Sequence, residues 1–175
     1  MNQKSELMHY LRPGISGYVI GAIFAALAVF IGIAVGIGAT IMLLLMCLVI
    51  AGPTAAKHYE LAKDLSTAQR DGSLDALYQD FQNGISLSGD DIRLGREYVF
   101  GRRMGTYHRY RDIDRIYQYV HKTNFVEDKR MLRAKLLSGS IVDLCKLDRG
   151  GNNPEVAKIA MVIVKMNPTI RVGAR

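Results

Sequence analysis

Five residues within ten positions could do chemistry together: Arg102, Arg103, His108, Arg109 and Arg111, with Tyr107 and Tyr110 between them. A guanidinium presents parallel N–H donors to phosphate or carboxylate oxygens, so such a run suits an anionic ligand. Arg102 and Arg103 fall in a glycine-bounded turn, Gly101 to Gly105. Arg109 and Arg111, two apart, can share one face of a returning strand. The plainer alternative is a solvated positive face with no ligand.

Other chemistry is sparse. The phosphate loop G-x-x-x-x-G-K-[ST], the G-x-S-x-G elbow and the H-E-x-x-H helix do not occur. Asp143 and Cys145 stand two apart on an expected strand, hence on one face, and His108 or His121 could approach them. A cysteine nucleophile also needs a base in reach and an oxyanion donor. Cys145, beside Leu144 and near Leu147, reads instead as a small buried hydrophobe. No Cys or His pair has zinc-site spacing, and Cys47 and Cys145 are expected to be free thiols. The expectation is a protein with no enzymatic activity, no cofactor and no metal.

The elements that position the basic run follow from how charge and hydropathy are distributed. The net charge of +7 resides between Arg93 and Lys135, where twelve Lys or Arg face five Asp or Glu. Between Arg12 and Lys57 there is no charged side chain. That apolar block is too long for one crossing of a ~30 Å hydrocarbon core, which needs about 20 residues, and fits two. It is also too long for a cleavable signal, whose apolar region is roughly 7–15 residues. Spans are expected at about 15–33 and 37–53, reversing at Gly32, Gly36 and Gly38. Lys4 and Arg12 precede the pair and Lys57 and Lys63 follow it, which places both termini in the cytoplasm of a multi-pass cell-membrane protein. Neither span holds an ionisable group, which argues against a pore or carrier. Small residues Gly17, Gly21, Ala25, Ala28, Gly32 and Gly36 recur at three- or four-residue steps. They suit packing of the first span on the second, or a homodimer seam.

Four segments result: a cytoplasmic N-terminal segment (1–14), the hairpin (15–53), a helical neck (54–84) and a cytoplasmic α+β domain (85–175). In the neck, Pro53 and Thr54 should end the second span, and Tyr59, Ala62, Leu65 and Ala68 fall on one helical side. Ser73 is placed to cap a helix carrying Leu74, Leu77, Tyr78 and Phe81, which Asn83-Gly84 stops. From residue 90 the period becomes that of a strand, with Ile92, Leu94, Tyr98 and Phe100 opposite Arg93, Glu97 and Val99. Further strands are expected at 106–111, 112–120, 131–136 and 141–147, with a polar loop at 122–128. Asn153-Pro154 should open a helix to about Met166, its core stripe Val156, Ile159, Ala160 and Ile163.

Residues 91–166 resemble the bacterial pleckstrin-homology-like domains that follow two-span hairpins in small membrane proteins. The resemblance rests on DIRLGREYVFG (91–101), YRDIDRIYQY (110–119), KLLSGSIVDLCKL (135–147) and NPEVAKIAMVIVKMNP (153–168). It implies a mostly antiparallel sheet or partial barrel, one open end plugged by the terminal helix. A full domain of that kind has seven strands and the periodicity marks five. Two more belong near Ile85–Leu87 and in 121–129, or the domain is another small α+β sheet.

The functional expectation is a membrane-anchored adaptor or sensor whose basic domain binds anionic lipid headgroups or lies on the inner leaflet. A scaffold or accessory subunit docking another membrane protein is the alternative. Nucleic acid ranks below both, because the anchor holds the basic stretch at the bilayer.

Overall fold

The computed structural model describes residues 2–35, 37–148 and 154–173, with five α-helices, a single 3₁₀ turn and eight strands among them. The chain is α+β. Helix α1 (Gln3–Leu11) is followed by α2 (Ser16–Val35), α3 (Ile37–Arg70) and α4 (Leu74–Gln82). Four strands form one antiparallel sheet in chain order: β1 (Ile85–Leu87), β2 (Ile92–Leu94), β3 (Tyr98–Gly101) and β4 (Thr106–Arg109). After the 3₁₀ turn Tyr110–Asp112 come β5 (Ile113–Thr123), β6 (Val126–Leu136) and β7 (Ile141–Lys146), then α5 (Pro154–Met166) and β8 (Arg171–Val172). The second sheet runs β7-β6-β5-β8, with β8 parallel to β5.

Helices α2 and α3 pack antiparallel: Gly17 lies against Thr54 and Ile50, and Gly21 against Ala51 and Cys47. The stretch Thr40–Arg70 of α3 is long and apolar enough to cross a membrane. Contrary to expectation, α3 does not end at Pro53 but continues to Arg70, leaving the Val49 carbonyl without its usual i+4 donor. The apolar hairpin strand of helix and the neck are therefore one rod. At Arg12–Ile15 the chain bends, and α1 leaves α2 at 72°.

Sheet β1–β4 lies between two cores. On one side Ile92, Leu94 and Val99 join Ile116, Leu132, Ala134 and Leu144 of the second sheet and Ile159 and Ile163 of α5. On the other, Tyr98 and Phe100 meet Leu7 and Leu11 of α1, Leu61 and Leu65 of α3, and Leu77 and Phe81 of α4. Adjacent residues of β3 point to opposite faces and both faces are covered, so the whole strand is buried. At Gly101 the two sheets approach so closely that an added Cβ would collide with the Leu144 carbonyl oxygen.

Several expectations are corrected here. The single strand read from residue 90 onward is a hairpin, because Asp80 of α4 accepts from the backbone N–H groups of Arg96 (2.6 Å) and Tyr98 (2.9 Å) and holds a turn at 95–97. That turn resets the alternation, so Val99 faces the same core as Ile92 and Leu94. The 122–128 loop is strand almost throughout, with only Asn124 and Phe125 forming the turn of β5–β6. Strand β4 stops at Arg109, and Arg111 lies in the 3₁₀ turn. On the neck the buried stripe is Leu61, Leu65 and Ala68, while Tyr59 is exposed. Ser73 sits at the start of α4 but makes no side-chain capping bond, its hydroxyl donating to Asp71 instead. The segment 1–14, to which the sequence reading assigns no element, forms α1 and contributes to the second core, which draws on residues from three of the four predicted segments. Gly36 and residues 149–153, where the cap of the last helix is expected, lie outside the described residues.

Candidate functional site

The structure divides the predicted basic run among separate places. Arg102 and Arg103 do occupy the turn between β3 and β4. Arg102 is engaged internally, its Nη1 3.5 Å from Asp90 Oδ2 and its guanidinium over the Tyr10 ring. Burial pushes the Asp90 carboxyl up, but hydrogen bonds from Ser86 and Arg93 and the charges of Arg93 and Arg102 outweigh it and hold Asp90 below its usual value. His108 lies in a pocket with Asp64, Asp71 and Asp112. Its Nε2 is buried without a hydrogen-bond partner. Burial lowers its pKa against the opposing pull of Asp112, so His108 adds no positive charge near neutral pH. Arg109 donates from Nε to the Tyr98 hydroxyl (2.6 Å) and lies over that ring. Arg109 and Arg111 do meet, with Arg96, around a cleft of about 360 Å³ that also holds Glu97 and Asn167. Tyr110 is buried, its hydroxyl donating to the Gly95 carbonyl (3.1 Å), so it presents no face for stacking a base.

Arg103 points the way to a site that sequence reasoning missed. Its backbone has a left-handed φ of 58°, and its N–H donates to the Tyr10 carbonyl (3.1 Å), pinning the turn to the end of α1. The Gly105 N–H likewise donates to the Leu11 carbonyl (2.8 Å). The Arg103 side chain lines a cleft of about 520 Å³ at the junction of helices and sheets. Lys57 of α3, Lys129 of β6 and Lys146 of β7 line it too, with Ser16 and Thr54 marking where α2 begins and where α3 comes alongside it. Four cations thus face two acids, Asp128 and Asp143. Both acids are already occupied. Asp143 accepts from Arg133 Nε (2.6 Å) and lies 3.7 Å from Lys129 Nζ. Asp128 is hydrogen-bonded to His121 (2.8 Å) and Thr123 (2.8 Å), and these bonds, that from His121 first, hold its carboxyl below the usual range. Among the described residues, Lys57, Arg103 and Lys146 have no carboxylate partner. Such a cleft attracts an anion.

Two sequence signals bear on this cleft: Arg103 belongs to the basic run, and Lys57 is the first charge after the apolar block. Lys129 and Lys146 reach it only through sheet register, in which Lys146 pairs with Met131.

The cysteine constellation does not assemble. A bulge in β6–β7 sets Cys145 opposite Leu132 but Asp143 opposite Arg133, so the two lie on different faces despite their spacing. Cys145 is fully buried in the first core, and that burial pushes its thiol up to about 12. Of the small-residue stripe, Gly17 and Gly21 are spent within the chain: a Cβ on Gly17 would lie 2.4 Å from Thr54 Oγ1, and one on Gly21 2.9 Å from Ala51 Cβ. Ala28 is buried and Ala25 half-buried. The surroundings of Gly32, like Gly36 itself, fall outside the described residues.

No protein-family model, curated protein or solved structure matches the chain.

Proposed function

We propose that the chain is a membrane-anchored adaptor or sensor without enzymatic activity. In this reading α2 and α3 cross the bilayer as a hairpin, and the α+β domain rests on the cytoplasmic leaflet with an anionic lipid headgroup in the junction cleft. One observation carries it: the cationic cleft lies where α2 begins and α3 comes alongside it, and among the described residues nothing covers the outward apolar surface of these two helices.

Val19, Ile23, Val29, Met42, Leu45, Leu48 and Val49 are between 50% and 74% exposed, with no charged residue among them. A core helix of a soluble protein would bury such residues, and a continuous apolar surface of this size needs a non-aqueous cover. The 20 residues of α2 span about 30 Å, the depth of a hydrocarbon core. The 34 residues of α3 span about 51 Å, so its charged C-terminal part stands clear of lipid as the neck. Lys4, Arg12, Lys57 and Lys63 flank the pair on the domain's side, which favours the cytoplasm for that side. Seven strands in two antiparallel arrays followed by a helix agree with the strand number that the resemblance implies, with β8 added beyond the helix, and support that reading of the fold.

Each basic residue near an anionic leaflet adds about 1 kcal/mol. Full-length protein in mild detergent, given equal phosphatidylglycerol and phosphatidylcholine, should retain phosphatidylglycerol preferentially by native mass spectrometry. The double variant Arg103→Gln/Lys146→Gln should lose about 30-fold in that preference, whereas Arg102→Gln, whose arginine is held by Asp90, should lose none. Equal retention of both lipids by the wild type contradicts the reading. A stoichiometric co-purifying protein with no lipid preference favours a scaffold or accessory subunit instead.

A further inference from the structure

The turn of the β5–β6 hairpin has a composition that the fold itself does not explain. Asn124 (φ 50°) and Phe125 (φ 65°) form a two-residue turn between the paired Thr123 and Val126. Both central residues are left-handed, the geometry for which Asn-Gly is the favoured sequence. Here the glycine position holds phenylalanine, and a bulky side chain at positive φ is a genuine outlier. The ring returns nothing to the chain, since Phe125 is 99% exposed and Val126 beside it 68%. A penalty in both backbone conformation and solvation, with no internal contact to offset it, points to a contact outside the molecule.

The position of the hairpin identifies that contact. Asp128 and Lys129, three and four residues beyond Phe125, line the junction cleft together with Ser16 and Thr54. The turn lies within about 13 Å of them along the strand. Lys122 stands on one arm of the tip and Glu127, Asp128 and Lys129 on the other, with Glu127 bonded to Arg130 and Asp128 to His121 within the hairpin. An apolar tip whose neighbouring acids are both engaged within the hairpin, beside the level where two apolar helices leave the domain, has the chemistry of a surface that meets the bilayer interface. Building on the membrane reading above, we infer that Phe125 and Val126 insert into the same leaflet that α2 and α3 cross, fixing the domain's tilt against the membrane.

The chain contains no tryptophan, so Phe125→Trp places a single reporter at the tip. Leu45→Trp, at an exposed position of α3, reports on the anchor itself. Each full-length variant is reconstituted into phosphatidylcholine/phosphatidylglycerol nanodiscs, with or without bromine on the acyl chains, placed near the headgroups for Phe125→Trp and near the chain ends for Leu45→Trp. The inference predicts blue-shifted emission from both tryptophans and loss of both on bromination. Leu45→Trp quenched while Phe125→Trp stays red-shifted and open to acrylamide overturns the tip insertion and leaves the anchor standing. A blue-shifted Phe125→Trp that bromine does not quench overturns it in favour of a protein contact. If bromine quenches neither, the membrane reading and this inference fall together.

Discussion

His108 illustrates how a residue chosen for one chemistry can serve another. Its place in a basic run suggested a cation, yet its imidazole is buried with Nε2 unpaired, and burial lowers its pKa from the ordinary 6.5. The unfolded chain therefore takes up a proton before the folded one does as pH falls. Stability from this group is complete above pH 6.5 and is lost as pH drops through the folded value. The wild type should lose thermal stability between pH 7.5 and 5, and His108→Gln should lose less across that window, measured by circular dichroism in detergent. Equal losses would mean that the buried imidazole does not titrate. Lys57, Arg103, Lys129 and Lys146 tell the complementary story: none lies within three residues of another except through the fold, and the fold puts all four in one cleft.

At the scale of elements, legibility followed the length and regularity of the apolar pattern. Helix α4 was readable because Leu74, Leu77 and Phe81 recur at helical spacing and are buried. Helix α5 was readable for the same reason through Ile159, Ala160 and Ile163. The β2–β3 turn was not, because the group that holds it, Asp80, is distant in sequence and belongs to a helix. The β5–β6 turn was hidden by Phe125 standing where glycine would have announced it. Strand β8 is two residues long, too short to show any period. Helix α1 was overlooked because its stripe has only Leu7, Tyr10 and Leu11, but its packing is firm. Tyr10 meets Phe81 edge-on at 5.0 Å, and Glu6 accepts from the Tyr78 hydroxyl (2.6 Å) and Gln82 (2.8 Å). Leu11 is fully buried, and removing such a side chain costs about 2–5 kcal/mol. Leu11→Ala should lower the thermal midpoint of the domain and not merely loosen its first residues. A midpoint unchanged within error would show that α1 is not part of the core.

The whole molecule is best understood as three layers on a stalk. Helices α1, α4 and the lower part of α3 cover one face of sheet β1–β4, and the second sheet with α5 covers the other. Because α3 runs without interruption from the apolar hairpin into that helical layer, the domain is bolted to the hairpin, not hung from it by a flexible neck. The turn bearing Arg103 is tied to the end of α1 by two backbone hydrogen bonds, which fixes the basic cleft at the level where the helices emerge. The cleft, the Phe125 tip and the sidedness of the domain all depend on α2 and α3 being solvated by lipid. Alkaline carbonate extraction of membranes from cells expressing the full-length chain tests that dependence directly. The chain should remain with the sedimented bilayer throughout. Release into the supernatant as a monomer that stays dispersed without detergent would contradict the account.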